Sequence, residues 1–170
     1  MPDANTRDEA AAVYRAAFGQ KPYDEDEAAA EAFAERVERY ARTRDGFRFA
    51  AARTDEGRVQ GFGLAVLARP GDPWRDAAAA SLTSELVRRR IGDECLEVVH
   101  IAVAPSAQGH GVGRLVHDVL LAGRPAPTAI LSVHPDAPAA QGLYRSAGWQ
   151  VLTRSLPTVA GSFWLMGRDL

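Results

Sequence analysis

The sequence predicts an α/β fold, a mixed sheet flanked by helices in a single domain. Three observations carry that expectation. Segments of helical and strand period alternate along the chain as helix–helix–strand–strand–helix–strand–helix–strand–helix–strand–strand. Two strand-like runs flank Asp55-Glu56-Gly57, a hairpin turn, so part of the sheet is antiparallel. Leu96–Leu121 reads as a valine-rich strand, a glycine-rich turn and an amphipathic helix. A chain of 170 residues suits one domain with a substantial core.

Taken in order, Asn5 or Thr6 can cap a first helix from about Arg7, with Ala10, Val13, Tyr14, Ala17 and Phe18 on its apolar face and Gly19 at its end. Lys21-Pro22-Tyr23 is a linker. Asp24 caps a longer helix whose first turn is acidic, as the helix dipole favours. Its stripe is Ala30, Phe33, Ala34, Val37, Tyr40 and Ala41, and it stops near Asp45-Gly46. Strands follow at 47–53 and 59–68, with Gly61 and Gly63 marking a bulge or a close backbone approach. Residues 69–78, rich in proline and glycine, read as a loop, and 79–90 as a helix. The central strand spans Leu96 to Val103, stopped by Pro105. Leu115, Val116, Val119 and Leu120 give the apolar face of the helix after it. A turn at 123–127, a strand at 129–134, a helix at 139–147 and strands at 149–156 and 162–168 complete the chain.

Bulk composition narrows the function. With 46% hydrophobic and 25% charged residues, the chain is globular, and a net charge of −2 gives no reason to expect nucleic acid. Arginines are dispersed and Lys21 is the only lysine, so no basic patch forms. Cys95 is the only cysteine, which excludes an intrachain disulfide. No apolar run reaches membrane-spanning length and the N-terminus is not signal-like, so a cytoplasmic protein without membrane contact is expected. The histidines are not at metal-ligand spacing, and no metal is expected.

The turn Gln108-Gly109-His110-Gly111-Val112-Gly113 is the most informative stretch. Glycines let backbone N–H groups turn inward, and the helix start adds partial positive charge, so a diphosphate suits it. No lysine follows for a nucleotide P-loop. The dinucleotide pattern fails because Arg114 stands where the third glycine belongs. The pattern Gln-x-x-Gly-x-Gly after Ile-Ala-Val-x-Pro resembles the coenzyme A pyrophosphate loop of the GNAT N-acetyltransferase superfamily. Leu143-Tyr144-Arg145-Ser146-Ala147-Gly148-Trp149 is similar to that family's Leu-Tyr-x-x-x-Gly-Phe segment. The resemblance covers about residues 94–152 by motif and the rest by element order.

That resemblance implies a mostly antiparallel mixed sheet with splayed central strands. It implies acetyl-CoA as co-substrate, with coenzyme A held by about 94–152. The acceptor is then a small-molecule amine or a peptide, met by helices at about 7–45, the insert 69–93 and the C-terminal hairpin. Tyr23, Trp74, Phe163 and Trp164 are available as walls. The family's first strand is missing or shortened here. Backbone groups of Ile101 and Val103 would pair with the pantetheine arm. Gln108, Gly109, His110, Gly111, Val112 and Gly113, with Arg114, would hold the pyrophosphate. Tyr144 matches the family tyrosine that protonates the leaving thiolate. The asparagine often found seven residues earlier is Ala137 here, with Asp136 beside it.

Attack by an amine also needs a base to take its proton. Glu97 on the central strand is the first candidate, and a glutamate there serves as base in some family members. His100 is the alternative, since a strand bulge would exchange the two faces. Glu97 as a salt-bridge partner, His100 as a packed histidine, Tyr144 as core and Cys95 as a buried thiol are the competing structural readings. A non-catalytic acyl-CoA sensor on the same fold and a nucleotide-binding transferase stay open as rival functions. Many relatives are dimers, and nothing in the sequence specifies an interface.

Overall fold

A computed structural model describes residues 1–123 and 126–170. The helices are α1 (Ala4–Phe18), α2 (Glu27–Thr43), α3 (Pro73–Ala80), the short α4 (Ser84–Leu86), α5 (Val112–Leu121) and α6 (Pro138–Ser146). The strands are β1 (Arg48–Arg53), β2 (Val59–Ala68), β3 (Cys95–Val103), β4 (Thr128–Val133), β5 (Gln150–Thr158) and β6 (Gly161–Asp169). They form a six-stranded mixed sheet in the order β1-β2-β3-β4-β6-β5. The β3–β4 pair is parallel, and β1–β2, β4–β6 and β5–β6 are antiparallel. The expected α/β class and mixed sheet are therefore observed. The turn expected at 123–127 lies partly outside the described residues.

Two compact units divide the chain, with β2 and β3 each running from one into the other. The first comprises Met1–Val66 and His100–Ala122. Its core stacks Tyr14 on Phe33, and Phe33 meets Phe62 at 4.9 Å between ring centres. Helix α5 lies close on β2 because Gly61 and Gly63 have no side chains. A Cβ at Gly63 would stand 2.4 Å from Leu120 Cδ1 and 2.6 Å from Val116 Cγ1. At the other end of α5, Arg48 from β1 donates to the carbonyls of Ala122 (2.8 Å) and Val119 (3.5 Å). The Val119 carbonyl already accepts from the capping Ala122 N–H at 3.3 Å, and the helix C-terminus, with its partial negative charge, favours a cation there.

The second unit comprises Leu67–Val99 and Gly123–Leu170. Ala68, Ala78, Ile91, Cys95, Ile130, Leu156 and Leu165 form its buried cluster, with Trp74, Leu82, Val87 and Leu152 packed against it. Here β3 pairs with β4 at Leu96–Ala129 and Glu97–Ile130, and among the described residues the ladder goes no further.

Several expected boundaries are corrected. Asp3, not Asn5 or Thr6, caps α1: its carboxylate accepts from the Thr6 N–H at 2.7 Å, and Asn5 and the buried Thr6 both lie inside the helix. Asp26, not Asp24, caps α2 by accepting from Ala29 N, while Asp24 has φ +48° and cannot join the helix. The loop expected at 69–78 contains most of α3. Pro73 adds to the loop-like composition of 69–78, but proline at the first helical position starts a helix. The expected helix 79–90 is instead the end of α3, a break at Ser81–Thr83, α4, and a wide π turn at Val87–Ile91. Strand β5 continues through Pro157 because β5 is an edge strand, where a missing N–H need not cost a ladder bond. The buried face of α5 is Val116, His117, Leu120 and Leu121. Leu115 and Val119 are 58% and 50% exposed, because the helix turns its Val116–Leu120 ridge into the space left by Gly63.

No helix among the described residues is long and apolar enough to cross a membrane.

Candidate active site

In the first unit, β3 ends at Val103 and a single 3₁₀ turn at Pro105–Ala107 leads into the glycine turn. Gln108 clamps this entry, its side-chain amide donating to the Val103 carbonyl at 3.2 Å. Gly109 and Gly111 adopt φ +78° and +81°, in the left-handed region that glycine reaches without strain. Gly111 caps α5 without a side-chain hydrogen bond, and the first helical bond is from Leu115 N to Gly111 O. The amides before Leu115 therefore have no carbonyl inside the helix. Residues 108–111 are exposed, and a Cβ placed on Gly109 or Gly111 would meet nothing within 4 Å. Open amides at a helix start, on backbone only glycine takes easily, fit a diphosphate.

The sequence also placed Arg114 at the phosphate. Its Nε bonds both carboxylate oxygens of Asp118 at 3.0 Å on the exposed side of α5. Asp118 also receives a 2.7 Å contact from Nδ1 of the fully buried His117. Desolvation is the largest single influence and raises the Asp118 carboxyl, but the hydrogen bonds and charges of His117 and Arg114 together outweigh it and hold the group below its ordinary pKa. Arg114 thus carries its own counter-charge at the edge of the turn.

His100, farther up β3, is enclosed by the rings of Tyr14, Phe18 and Phe33 at 5.3, 5.7 and 5.8 Å. Arg36 from α2 lies 3.2 Å from its Nε2 through Nη1. A guanidinium only donates, so His100 accepts at Nε2 and is neutral, with its proton on Nδ1. Burial first, and the Arg36 charge second, push its pKa down to about 3. Tyr14 in turn donates to Glu25 at 2.5 Å. Burial and the Glu25 carboxylate raise the Tyr14 phenol above its ordinary value, and Arg36 opposes this weakly.

In the second unit, Glu97 is buried in the middle of a β3 segment that is otherwise apolar, only 8% exposed. Two residues before it, Cys95 is fully buried, and desolvation pushes its thiol up to about 12. That is an inert core thiol, as the sequence implied. Tyr144 is buried on α6, edge-on to Trp149 at 5.9 Å. One turn earlier, the Gln141 amide donates to the His134 and Pro135 carbonyls and fixes the turn from β4 into α6. Ala137 is buried at the start of α6.

The aromatic residues expected to wall an acceptor pocket have separate surroundings. Tyr23 packs edge-on to Phe18, and Trp74 joins the core of the second unit. Phe163 stands edge-on to His134, and Trp164 lies under the guanidinium groups of Arg145 and Arg154. The contacts around His100 and Tyr14 that sequence reasoning missed are those of Arg36 and Glu25. They belong to no motif, and the only available signal was a charged residue at the border of the Phe33–Val37 stripe. Among the described residues, no cluster of histidine, cysteine and acidic groups could hold a metal.

Comparison with known proteins gives the class. A sequence profile described as the acetyltransferase (GNAT) family matches residues 7–149. The chain belongs to this family, and it is an acyltransferase that moves acetyl groups. Solved structures share the fold at low identity. A Pyrococcus horikoshii OT3 protein aligns over 100% of this chain and 94% of its own, with TM-score 0.68 and 18% identity. A Corynebacterium glutamicum protein described as a histone acetyltransferase HPA2 and related acetyltransferase covers 99% and 93%, with TM-score 0.67 and 20% identity. The ribosomal-protein-alanine N-acetyltransferase of Brucella melitensis covers 83% and 78%, with TM-score 0.58 and 20% identity. No curated protein matches the chain significantly.

Proposed function

We propose that the protein transfers acetyl from acetyl-CoA to a primary amine of a small molecule or peptide by direct attack. The observation that carries this reading is the row of exposed turn amides from Gly109 to Gly113 at the start of α5, beside two left-handed glycines with free space around them. These amides would hold the pyrophosphate, and the backbone of Ile101 and Val103 would align the pantetheine arm and polarise the thioester carbonyl.

Glu97 takes the proton from the attacking ammonium, directly or through water. The neutral amine nitrogen then bonds to the carbonyl carbon, the carbon–sulfur bond breaks, and Tyr144 gives its proton to the departing thiolate; the second proton that the nitrogen sheds as it becomes an amide passes through water and restores the Tyr144 phenol. Glu97 is favoured over His100 because the His100 lone pair at Nε2 already accepts from Arg36 and its basicity is strongly reduced. The buried carboxylate of Glu97 and the buried phenol of Tyr144 have the chemistry these two roles require.

The test is coenzyme A release from acetyl-CoA over a panel of polyamines, aminoglycosides, amino acids and peptides, for wild type and Tyr144→Phe. Turnover with at least one amine, reduced in the variant while coenzyme A binding persists, supports the reading. Failure of acetyl-CoA to protect the 108–113 amides from hydrogen exchange would overturn it.

A further inference from the structure

In the first unit, Arg36 and Glu25 both engage the phenol of Tyr14 instead of pairing directly with each other. Arg36 and Glu25 are both half-buried, and among the described residues neither forms an ion pair. The phenol of Tyr14 is the reason. Its O–H donates to Glu25 at 2.5 Å, and Arg36 interacts with the same phenol. The other contact of Arg36 is the neutral His100 Nε2 at 3.2 Å. A guanidinium removed from bulk water normally finds a carboxylate, because an unpaired charge there is costly. Here a carboxylate stands in the same cluster, yet a neutral hydroxyl occupies it. The rings of Phe18, Phe33 and Tyr14 around His100 lower the polarity on one side of the cation. The planar fork of Arg36 is held by two neutral partners and keeps donors for a third.

We infer that Arg36 reads a carboxylate on the acceptor, so that the preferred substrate is a small amine that also bears a carboxylate, such as a free amino acid. This rests on the acetyl-transfer reading and names its substrate class. Arg36 binds the carboxylate as a two-pronged hydrogen-bonded pair, and His100 and Tyr14 set the plane of the fork. Glu25 keeps the Tyr14 O–H turned away from the guanidinium, leaving its charge for the ligand.

The test compares amino acids with their amides and their decarboxylated amines, by coenzyme A release and by calorimetry on the coenzyme A complex. Wild type is expected to favour the carboxylate-bearing member by at least about tenfold in kcat/KM. Arg36→Gln is expected to erase that preference through KM and leave the amides unchanged, and Arg36→Lys to restore part of it. Equal use of both members by wild type overturns the inference. So does a loss in Arg36→Gln that strikes all acceptors alike, or binding of coenzyme A with no carboxylate-bearing amine bound or acetylated. Absence of coenzyme A binding would instead sink the underlying acetyl-transfer reading. Thermal melting of both variants verifies that they fold.

Discussion

Tyr144→Phe removes one hydroxyl and leaves the ring against Trp149. The expected result is a fall of about 10²-fold in kcat with acetyl-CoA affinity kept, the size of one acid–base contribution. Stopped-flow binding beside steady-state turnover separates the two. Glu97→Gln is expected to cost about 10²–10⁴ in kcat, most at low pH where the amine is fully protonated. His100 makes a different prediction. Its folded pKa of about 3 lies below the ordinary histidine value of 6.5, so the unfolded chain binds the extra proton between those values. Its contribution to stability is complete above about pH 6.5 and is lost as pH falls toward 3. Urea denaturation at pH 7 and pH 5 should show a smaller drop in His100→Gln than in wild type. An equal drop would assign the acid sensitivity to other groups.

At the scale of elements, the seating of α5 on β2 decides whether the glycine turn before α5 is in place. Gly63→Ala puts a methyl group into Leu120 and Val116, which belong to a packed helix, and should destabilise the protein by about 1–3 kcal/mol. Gly111→Ala meets no neighbour but forces alanine to φ +81°, at a cost of about 1 kcal/mol. Gly57→Ala at φ +83° has the same strain in the β1–β2 turn and serves as its control. Both should lower the melting temperature alike, and only Gly111→Ala should weaken coenzyme A binding, measured by calorimetry. Equal affinities would detach the turn from the coenzyme.

Much of this element scale was legible in the sequence. Gly61 and Gly63 announced a close approach, and the residue pattern announced the strand, glycine turn and helix in that order, because glycine placement and hydrophobic period act locally. The face of α5 was misread because Leu115 and Val119 satisfy the same period as Val116 and Leu120. Only the glycines opposite decide between the two ridges. The start of α3 was missed because proline both breaks and opens helices. The Arg36–His100–Tyr14–Glu25 contacts join residues far apart in sequence, which no local pattern encodes.

For the whole molecule, arginine is the principal cation, and its pairs are mostly exposed: Arg15–Glu27, Arg69–Glu94 and Arg114–Asp118 are examples. Exposed pairs are worth about 0–1 kcal/mol each and are screened by salt. Raising sodium chloride should therefore move the urea midpoint little, and a large shift would show that the ion pairs act as a network. Cohesion comes instead from the ring stack of the first unit and the aliphatic cluster of the second.

Arg48 gives the first unit one more property. It fastens the last turn of α5 to the sheet's outermost strand, while the missing side chains of β2 seat the middle of that helix. A rod secured in two places cannot swivel to greet its ligand. The coenzyme would meet a socket already cut to shape, and its capture rate would rise linearly with concentration, with no plateau from a preceding rearrangement.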